Sequence, residues 1–417
     1  MNAAIEVHID FAAGLRRVGL LRRAPRRDGE SVTFEYDAAW LEDSACFSLE
    51  PALALTAGVF APDSRLGMFG SIGDSAPDSW GRQLMQRAER RRAASEDRAP
   101  RTLLEADYLL GVSDVSRLGA LRFRREGEAD FQTPFRAGVP GLVELGRLLQ
   151  VTGRIERDED TDEDLQLIFA PGSSLGGARP KASVVDVHGR LAIAKFPKES
   201  DEYSVERWEH VALTLAASAG IRVPEHTLRT VAGKSVLLCW RFDRNGSTRI
   251  PFLSALSMLS MRDGERASYP ELFEALLQHG AAASEDGREL YRRLTFNVLI
   301  SNVDDHLRNH GFLWQDRRGW RLSPAYDMNP TPVDVRQRIL TTRISPDEAT
   351  CDIELVRSVS EYFGLAPRDA DALVGEVARP IRRWRDVATA AGASRREIER
   401  MASAFEHADL MRALTVG

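Results

Sequence analysis

Cysteine is nearly absent from this chain of 417 residues. Cys46, Cys239 and Cys351 are all it has, and no two form a Cys-x-x-Cys pair. That excludes a disulfide framework and a cysteine-built zinc centre, and it fits a reducing cytoplasm. Long apolar runs are missing too: none reaches the ~18 residues a membrane helix needs, so no membrane partner is expected. The start of the chain carries Glu6 and Asp10 and lacks the basic-then-apolar form of a secretory leader, which again points to the cytoplasm. Neither sign of charge dominates, with 56 Lys and Arg against 62 Asp and Glu and a net charge of -6. A surface given over to phosphate contacts needs clustered Lys and Arg, so direct binding of nucleic acid by the whole chain is not expected. No internal repeat appears at the periods of about 20–50 residues that mark solenoids. What remains is ordinary globular usage, 43% hydrophobic and 28% charged, in a length that fits roughly two or three domains.

Two charge runs stand out against that average. Gly81 to Arg92 is helical in pattern and carries Arg82, Arg87, Arg90, Arg91 and Arg92. It reads either as a solvated helix face or as a patch for an acidic partner or nucleic acid. Residues 156–164 hold Glu156, Asp158, Glu159, Asp160, Asp162, Glu163 and Asp164. Like charges this dense repel, which predicts a linker or mobile loop and a domain boundary near 150–165. The division expected is therefore 1–150, a mixed β/α module with alternating stretches such as Val32 to Tyr36; 151–265, rich in strands; and 266–417, helical apart from one short hairpin at Phe312 to Leu322.

The chemistry-bearing residues lie in a telling order. Gly172-Ser173-Ser174-Leu175-Gly176-Gly177-Ala178-Arg179-Pro180-Lys181 precedes a strand, and its glycines and serines let backbone N–H groups approach an anion; a plain turn is the bland alternative. It is not a Walker A loop, because no Gly-Lys-Ser/Thr follows. Lys195 sits in the apolar strand Ala192 to Pro197, where a lysine is costly unless it meets an anion or reaches solvent at the strand end. The intervening turn at His188-Gly189 puts the glycine loop and Lys195 at the same end of a hairpin, so one phosphate chain can touch both. On the helix Val205 to Ala219, Glu209 falls on the edge of the apolar stripe and Glu206 further round, so Glu209 is the better placed to pair with Lys195. Val236 to Phe242, with Trp240 and Phe242, is the expected hinge strand whose backbone meets adenine.

Ser301 to Asn309 follows an apolar helical stretch, Leu294 to Ile300, and places Asp304 and Asn309 at the D-x-x-x-x-N spacing of a kinase catalytic loop. There the carboxylate takes the acceptor's proton and the amide oxygen binds Mg²⁺. Asp327 follows the second strand of the hairpin that Asn309 precedes, so two oxygen ligands converge at one end, a set suited to a hard cation. His306 and His310 have zinc-ligand spacing, but Leu307 stands where a zincin needs Glu; His306 is instead assigned to ordering the catalytic loop and is counted with the nucleotide-binding residues. No Gly-x-Ser-x-Gly elbow with a consistent triad appears. Glycine loop, strand lysine, helix glutamate, catalytic Asp/Asn and distal Asp together occur in protein-kinase order.

At these residues the sequence resembles the HipA family of bacterial Ser/Thr kinases, toxins of type II toxin–antitoxin modules. Ser174 to Lys181, Ala194-Lys195-Phe196-Pro197, Arg241-Phe242-Asp243-Arg244, Asp304 to Asn309 and Leu322 to Asp327 carry the resemblance. So do Phe69-Gly70, Asp74, Pro77 to Arg82 and Leu109 to Arg117, which extends it over nearly the whole chain. It implies an α+β chain, with the N-terminal module followed by a bilobal kinase-like fold whose C-terminal lobe is all helical. It implies an ATP- and Mg²⁺-dependent protein kinase in which Lys195 holds the α/β-phosphates, Asp304 is the catalytic base, and Asn309 and Asp327 bind Mg²⁺. It marks Ser174, with Ser173 as the alternative, as a site of self-inactivating autophosphorylation. The partners it implies are a protein substrate, an aminoacyl-tRNA synthetase in characterised members, and a small helix-turn-helix antitoxin through which DNA is touched only indirectly. Arg308 stands where the family often has Lys, and Arg179-Pro180 varies the loop. A catalytically inactive corepressor and a small-molecule kinase are the alternatives to a protein kinase.

Overall fold

The computed structural model describes residues 3–27, 29–133, 138–169 and 177–416. Its contacts divide the chain into two compact units: residues 1–199, 231–234 and 238–262 in the first, and 200–230, 235–237 and 263–417 in the second. No helix among the described residues is long and apolar enough to cross a membrane.

The first unit opens with an antiparallel sheet of β1 (Ala3–Phe11), β2 (Gly14–Arg26), β3 (Gly29–Tyr36), β4 (Val59–Phe60) and β5 (Leu121–Arg125), in the order β4-β3-β2-β1-β5. The alternation of β3 does what a two-residue period requires: Val32, Phe34 and Tyr36 are buried and Thr33 and Glu35 are not. Gly19 in β2 is needed for close approach, because a Cβ there would lie 2.3 Å from Glu35 O and 2.6 Å from the Phe34 ring.

The arginine helix spans Ser79–Ser95 and is capped by Asp78, whose Oδ1 accepts from Gly81 N at 2.9 Å. It does not simply face solvent. Arg87 pairs with Asp158 at 2.5 Å and with Asp160, and Arg91 pairs with Asp160 at 3.1 Å and Asp162 at 3.6 Å. The Asp160 side chain is fully buried. The acidic run is therefore not a linker. It is the turn between helices Leu145–Glu156 and Asp162–Phe169, with Arg154 Nε donating to Asp164 Oδ2 at 2.8 Å. Repulsion within the run is offset by arginines some seventy residues away, a partner that local charge counting does not reveal. Of the five arginines of that helix, Arg90 and Arg92 remain exposed.

β6 (Lys181–Val185) and β7 (Leu191–Lys195) form the expected antiparallel hairpin, and β9 (Lys234–Trp240) brings its Leu238–Trp240 end beside β7, where Arg241 N donates to Leu191 O at 2.9 Å. In the second unit, helix Val205–Ser218 follows the cap residue Ser204, and β8 (His226–Val231) precedes the turn Ala232-Gly233. Much of the rest is helical, including Tyr269–His279, Ala283–Leu299 and most of the tail from Pro367 to Val416. The antiparallel hairpin of Gly311–Trp314 and Trp320–Leu322 and the irregular stretch 323–352 that follows it interrupt the helices, so the C-terminal part is not wholly helical. Trp384 and Phe405 stack at 4.6 Å in the core of the tail.

Candidate active site

The β6–β7 register places Lys181 directly opposite Lys195. Residues so paired share one face of a sheet, and two like charges there repel unless each finds an anion. For Lys181 the anion is Asp78: Nζ lies 2.6 Å from Asp78 Oδ2, with both side chains buried. Asp78 thus caps a helix with one oxygen and binds Lys181 with the other. Lys181 Nζ also donates to Gly177 O at 3.4 Å, and Trp80 Nε1 donates to Lys181 O at 3.2 Å. Lys181, expected among the nucleotide-binding residues, is therefore held by the N-terminal module at the exit of the glycine loop. Gly177 has φ +104°, which suits glycine. Ser173, Ser174, Leu175 and Gly176 lie outside the described residues.

In the strand expected to be the hinge, Trp240 Nε1 donates to Asp186 Oδ2 at 3.1 Å, and Arg190 lies 5.1 Å from the Trp240 ring centre. Phe242 packs 6.4 Å from Phe252. Next to it, Asp243 has no exposed surface. Its carboxylate accepts from Arg241 Nε at 2.6 Å, Arg244 Nη1 at 2.7 Å and Gly119 N at 2.7 Å. Burial pushes its pKa up, but the two guanidiniums overcome it and bring it down to about 2. The same arginines donate to Ser116 O, Arg117 O and Gly119 O, tying the segment Arg241 to Arg244 to the loop before β5.

In the second unit, Glu209 is 2% exposed. Glu206 is 1% exposed, so burial does not single out Glu209 as the helical wheel suggested. The loop that carries Asp304 leaves helix Ala283–Leu299 through Ser301, whose φ is +52°. Asp304 is exposed, with its Oδ1 accepting from Arg336 Nη1 at 2.7 Å. Asn309 is buried; its Nδ2 donates to Asp304 O at 3.2 Å, while its buried Oδ1 accepts no hydrogen bond from the described residues. Tyr326 OH donates to Arg308 O at 2.7 Å, which draws the segment of Asp327 to that of Asn309. Asp327 has φ +58°, a left-handed backbone that a non-glycine residue adopts at a cost and that clusters at functional sites.

A chain of buried polar groups, absent from the sequence-derived site, organises this loop. Asp305 Oδ2 accepts from Tyr269 OH at 2.5 Å and lies 3.1 Å from His310 Nε2. Burial pushes Asp305 up, but the His310 ring and the Tyr269 hydroxyl outweigh it, so its carboxyl titrates below the ordinary range. Asn297 Nδ2 donates to Tyr269 OH at 2.8 Å, and Asn302 Nδ2 donates to Asn297 Oδ1 at 3.0 Å. Asn329 N donates to Asn302 Oδ1 at 3.0 Å, and Asn329 Nδ2 donates to Asp327 Oδ1 at 3.1 Å. His306 accepts from Asn309 N through its backbone oxygen at 2.8 Å, its Nδ1 is buried without a partner among the described residues, and Asp305 with His310 orders the loop beside it. His310 is thereby engaged by a carboxylate, and the stretch between the two histidines is a 3₁₀ turn, not a zinc-binding helix. Arg308 forms a two-pronged pair with Asp263 at 2.6 and 2.9 Å.

The donor set fits a hard divalent cation. An amide oxygen that lacks a donor and a carboxylate brought to the same end of a hairpin are oxygen ligands of the kind Mg²⁺ takes alongside substrate phosphates and water.

Residues 173–408 match the HipA-like C-terminal domain. That is more than half of the chain, and the chain belongs to this family. Its fold is similar to that of HipA in the Shewanella oneidensis MR-1 toxin–antitoxin complex of HipA, HipB and operator DNA, with a TM-score of 0.67 and 17% identity over 99% of this chain and 96% of that one. The mixed helix-and-sheet architecture is thus the HipA fold. Two relatives carry the name "Putative kinase". One, from Haemophilus influenzae, is 27% identical over 180 residues, 37% of this chain and 52% of the relative. The other, from Sinorhizobium fredii, is 32% identical over 155 residues, 33% of this chain and 37% of the relative. The chain spans about half or less of the length of these relatives.

Proposed function

We propose that the chain is an ATP- and Mg²⁺-dependent protein kinase that phosphorylates serine or threonine. One observation carries this reading: the buried, donor-less Oδ1 of Asn309, whose amide is oriented by the backbone of the exposed Asp304. A structural asparagine in a core normally has its oxygen satisfied. Here the amide is half satisfied, and the free half is the half a metal needs.

In this mechanism Asn309 and Asp327 hold Mg²⁺. When bound, Mg²⁺ offsets the charge on ATP's β- and γ-phosphates. Lys195 contributes a second cation toward the phosphates. Asp304 accepts the hydrogen bond of the substrate hydroxyl and takes its proton as the oxygen–phosphorus bond forms. The bond from the γ-phosphorus to the bridging oxygen breaks, and ADP leaves with that electron pair. Lys181, paired with Asp78 at the loop exit, is placed with the nucleotide-binding residues.

The same reading assigns a toxin role, with a small HipB-like antitoxin as partner. Its support is that the structure sharing this fold is a complex of HipA with HipB and operator DNA. Autophosphorylation at Ser174 or Ser173 would add about two negative charges where ATP's phosphates bind, which is a physical route to self-inactivation. Melting the protein with ATP, with and without Mg²⁺, tests the reading: a Mg²⁺-dependent rise is expected, and none would contradict it.

A further inference from the structure

The stretch after Asn329-Pro330 runs alongside the catalytic loop. Thr331 N donates to Ser301 O at 3.1 Å, Thr341 N to Val303 O at 3.1 Å and Thr342 N to Asp305 O at 2.9 Å. Asp304 stands between the last two of these ties, yet its own side chain is 66% exposed. A carboxylate in that position samples several rotamers unless something holds it.

Arg336 holds it. Its Nη1 donates to Asp304 Oδ1 at 2.7 Å. Its Nη2 reaches Thr341 Oγ1 at 3.5 Å, and that hydroxyl donates to Val303 O at 2.9 Å. The guanidinium is thus braced by a residue tied to the backbone just before Asp304. Asp304 Oδ2 accepts no hydrogen bond from the described residues. An ion pair this exposed adds little to stability, so stability alone does not account for it.

Resting on the phosphotransfer reading above, we propose that Arg336 is a positioning residue: it fixes the Asp304 carboxylate through Oδ1 and leaves Oδ2 to the hydroxyl of the acceptor. The arrangement needs an arginine, because a planar fork can hold a carboxylate oxygen and touch Thr341 together, whereas an ammonium is a point charge.

The test measures initial rates of ³²P transfer from γ-labelled ATP with Mg²⁺ to the proteins of a clarified cell lysate. The full chain is compared with Arg336→Ala, Arg336→Lys and Asp304→Asn, each checked for an unchanged melting temperature without nucleotide. Arg336→Ala is expected to lose about tenfold to a hundredfold in maximal rate while the KM for ATP stays put, the size of loss that a misplaced catalytic group brings. Arg336→Lys is expected to recover part of it. A rate in Arg336→Ala equal to or above that of the unaltered chain, or a loss confined to the KM for ATP, overturns the proposal and leaves the kinase reading standing. An unaltered chain no more active than Asp304→Asn overturns the kinase reading itself, and the proposal with it.

Discussion

Asn309 donates its side-chain amide to the backbone oxygen of Asp304 at 3.2 Å, and this one bond fixes which way the rest of the amide faces. Its oxygen is left buried and without a donor. Replacing Asn309 with Ala is expected to abolish the Mg²⁺-dependent part of stabilisation by ATP. Phosphotransfer should fall by at least about 10²-fold, since even outer-shell partners of a metal ligand are worth roughly 10–100-fold. Thermal melts across a Mg²⁺ titration check this, and an unchanged Mg²⁺ response would remove Asn309 from the metal site.

Asn329 reaches Asp327 with its side chain and Asn302 with its backbone. Asn329→Ala should leave the left-handed Asp327 without that support. The expected result is a raised Mg²⁺ requirement, on the order of 10-fold, with a smaller change in the KM for ATP. A Mg²⁺ dependence identical to that of the unaltered chain would show that the bond is incidental.

Asp243 lies between Arg241 and Arg244 with almost no exposed side-chain surface. Asp243→Ala leaves two buried guanidiniums without their anion and should cost about 3–5 kcal/mol. The pH dependence has a defined sign. The folded pKa of about 2 lies below the ordinary 3.8, so the stabilisation is fully present above 3.8 and fades as pH falls toward 2. That window is worth ~2 kcal/mol. The stability difference between the unaltered chain and Asp243→Asn, which cannot titrate, should therefore shrink on going from pH 5 to pH 2; denaturant melts at each pH measure it.

Asp160 is fully buried between Arg87 and Arg91, which are 21% and 36% exposed. Asp160→Ala should destabilise the first unit by about 1–3 kcal/mol, less than a fully buried pair because the arginines keep some water. Arg90→Ala and Arg92→Ala on the exposed side should change stability little. Equal effects from all of these substitutions would mean that the pairing with the acidic turn is not what holds the helix.

Much of the site was legible because it is local. The β6–β7 hairpin follows from a two-residue period and one tight turn, and its register sets Lys181 across from Lys195. The Asp304–Asn309 spacing similarly sits in a short loop whose own backbone closes it. What escaped has partners far along the chain. Asn297 sits in an otherwise apolar helical stretch, and a polar amide amid Leu294 to Ile300 is costly without partners and signals them. Tyr269, Asn302 and Asn329 supply those partners or extend the chain they begin. Arg87 and Asp160 likewise meet across 73 residues, a pairing that charge counts do not encode. The helical wheel places Glu206 further round than Glu209, yet the two are buried alike.

The central claim is that Asp304 takes the acceptor's proton while Asn309 and Asp327 hold the metal. It is tested most directly by incubating the chain and its Asp304→Asn variant with γ-labelled ATP, Mg²⁺ and cell proteins. The account predicts labelled protein with the unaltered chain and essentially none with the variant, at equal melting temperatures. Full labelling by Asp304→Asn would contradict it.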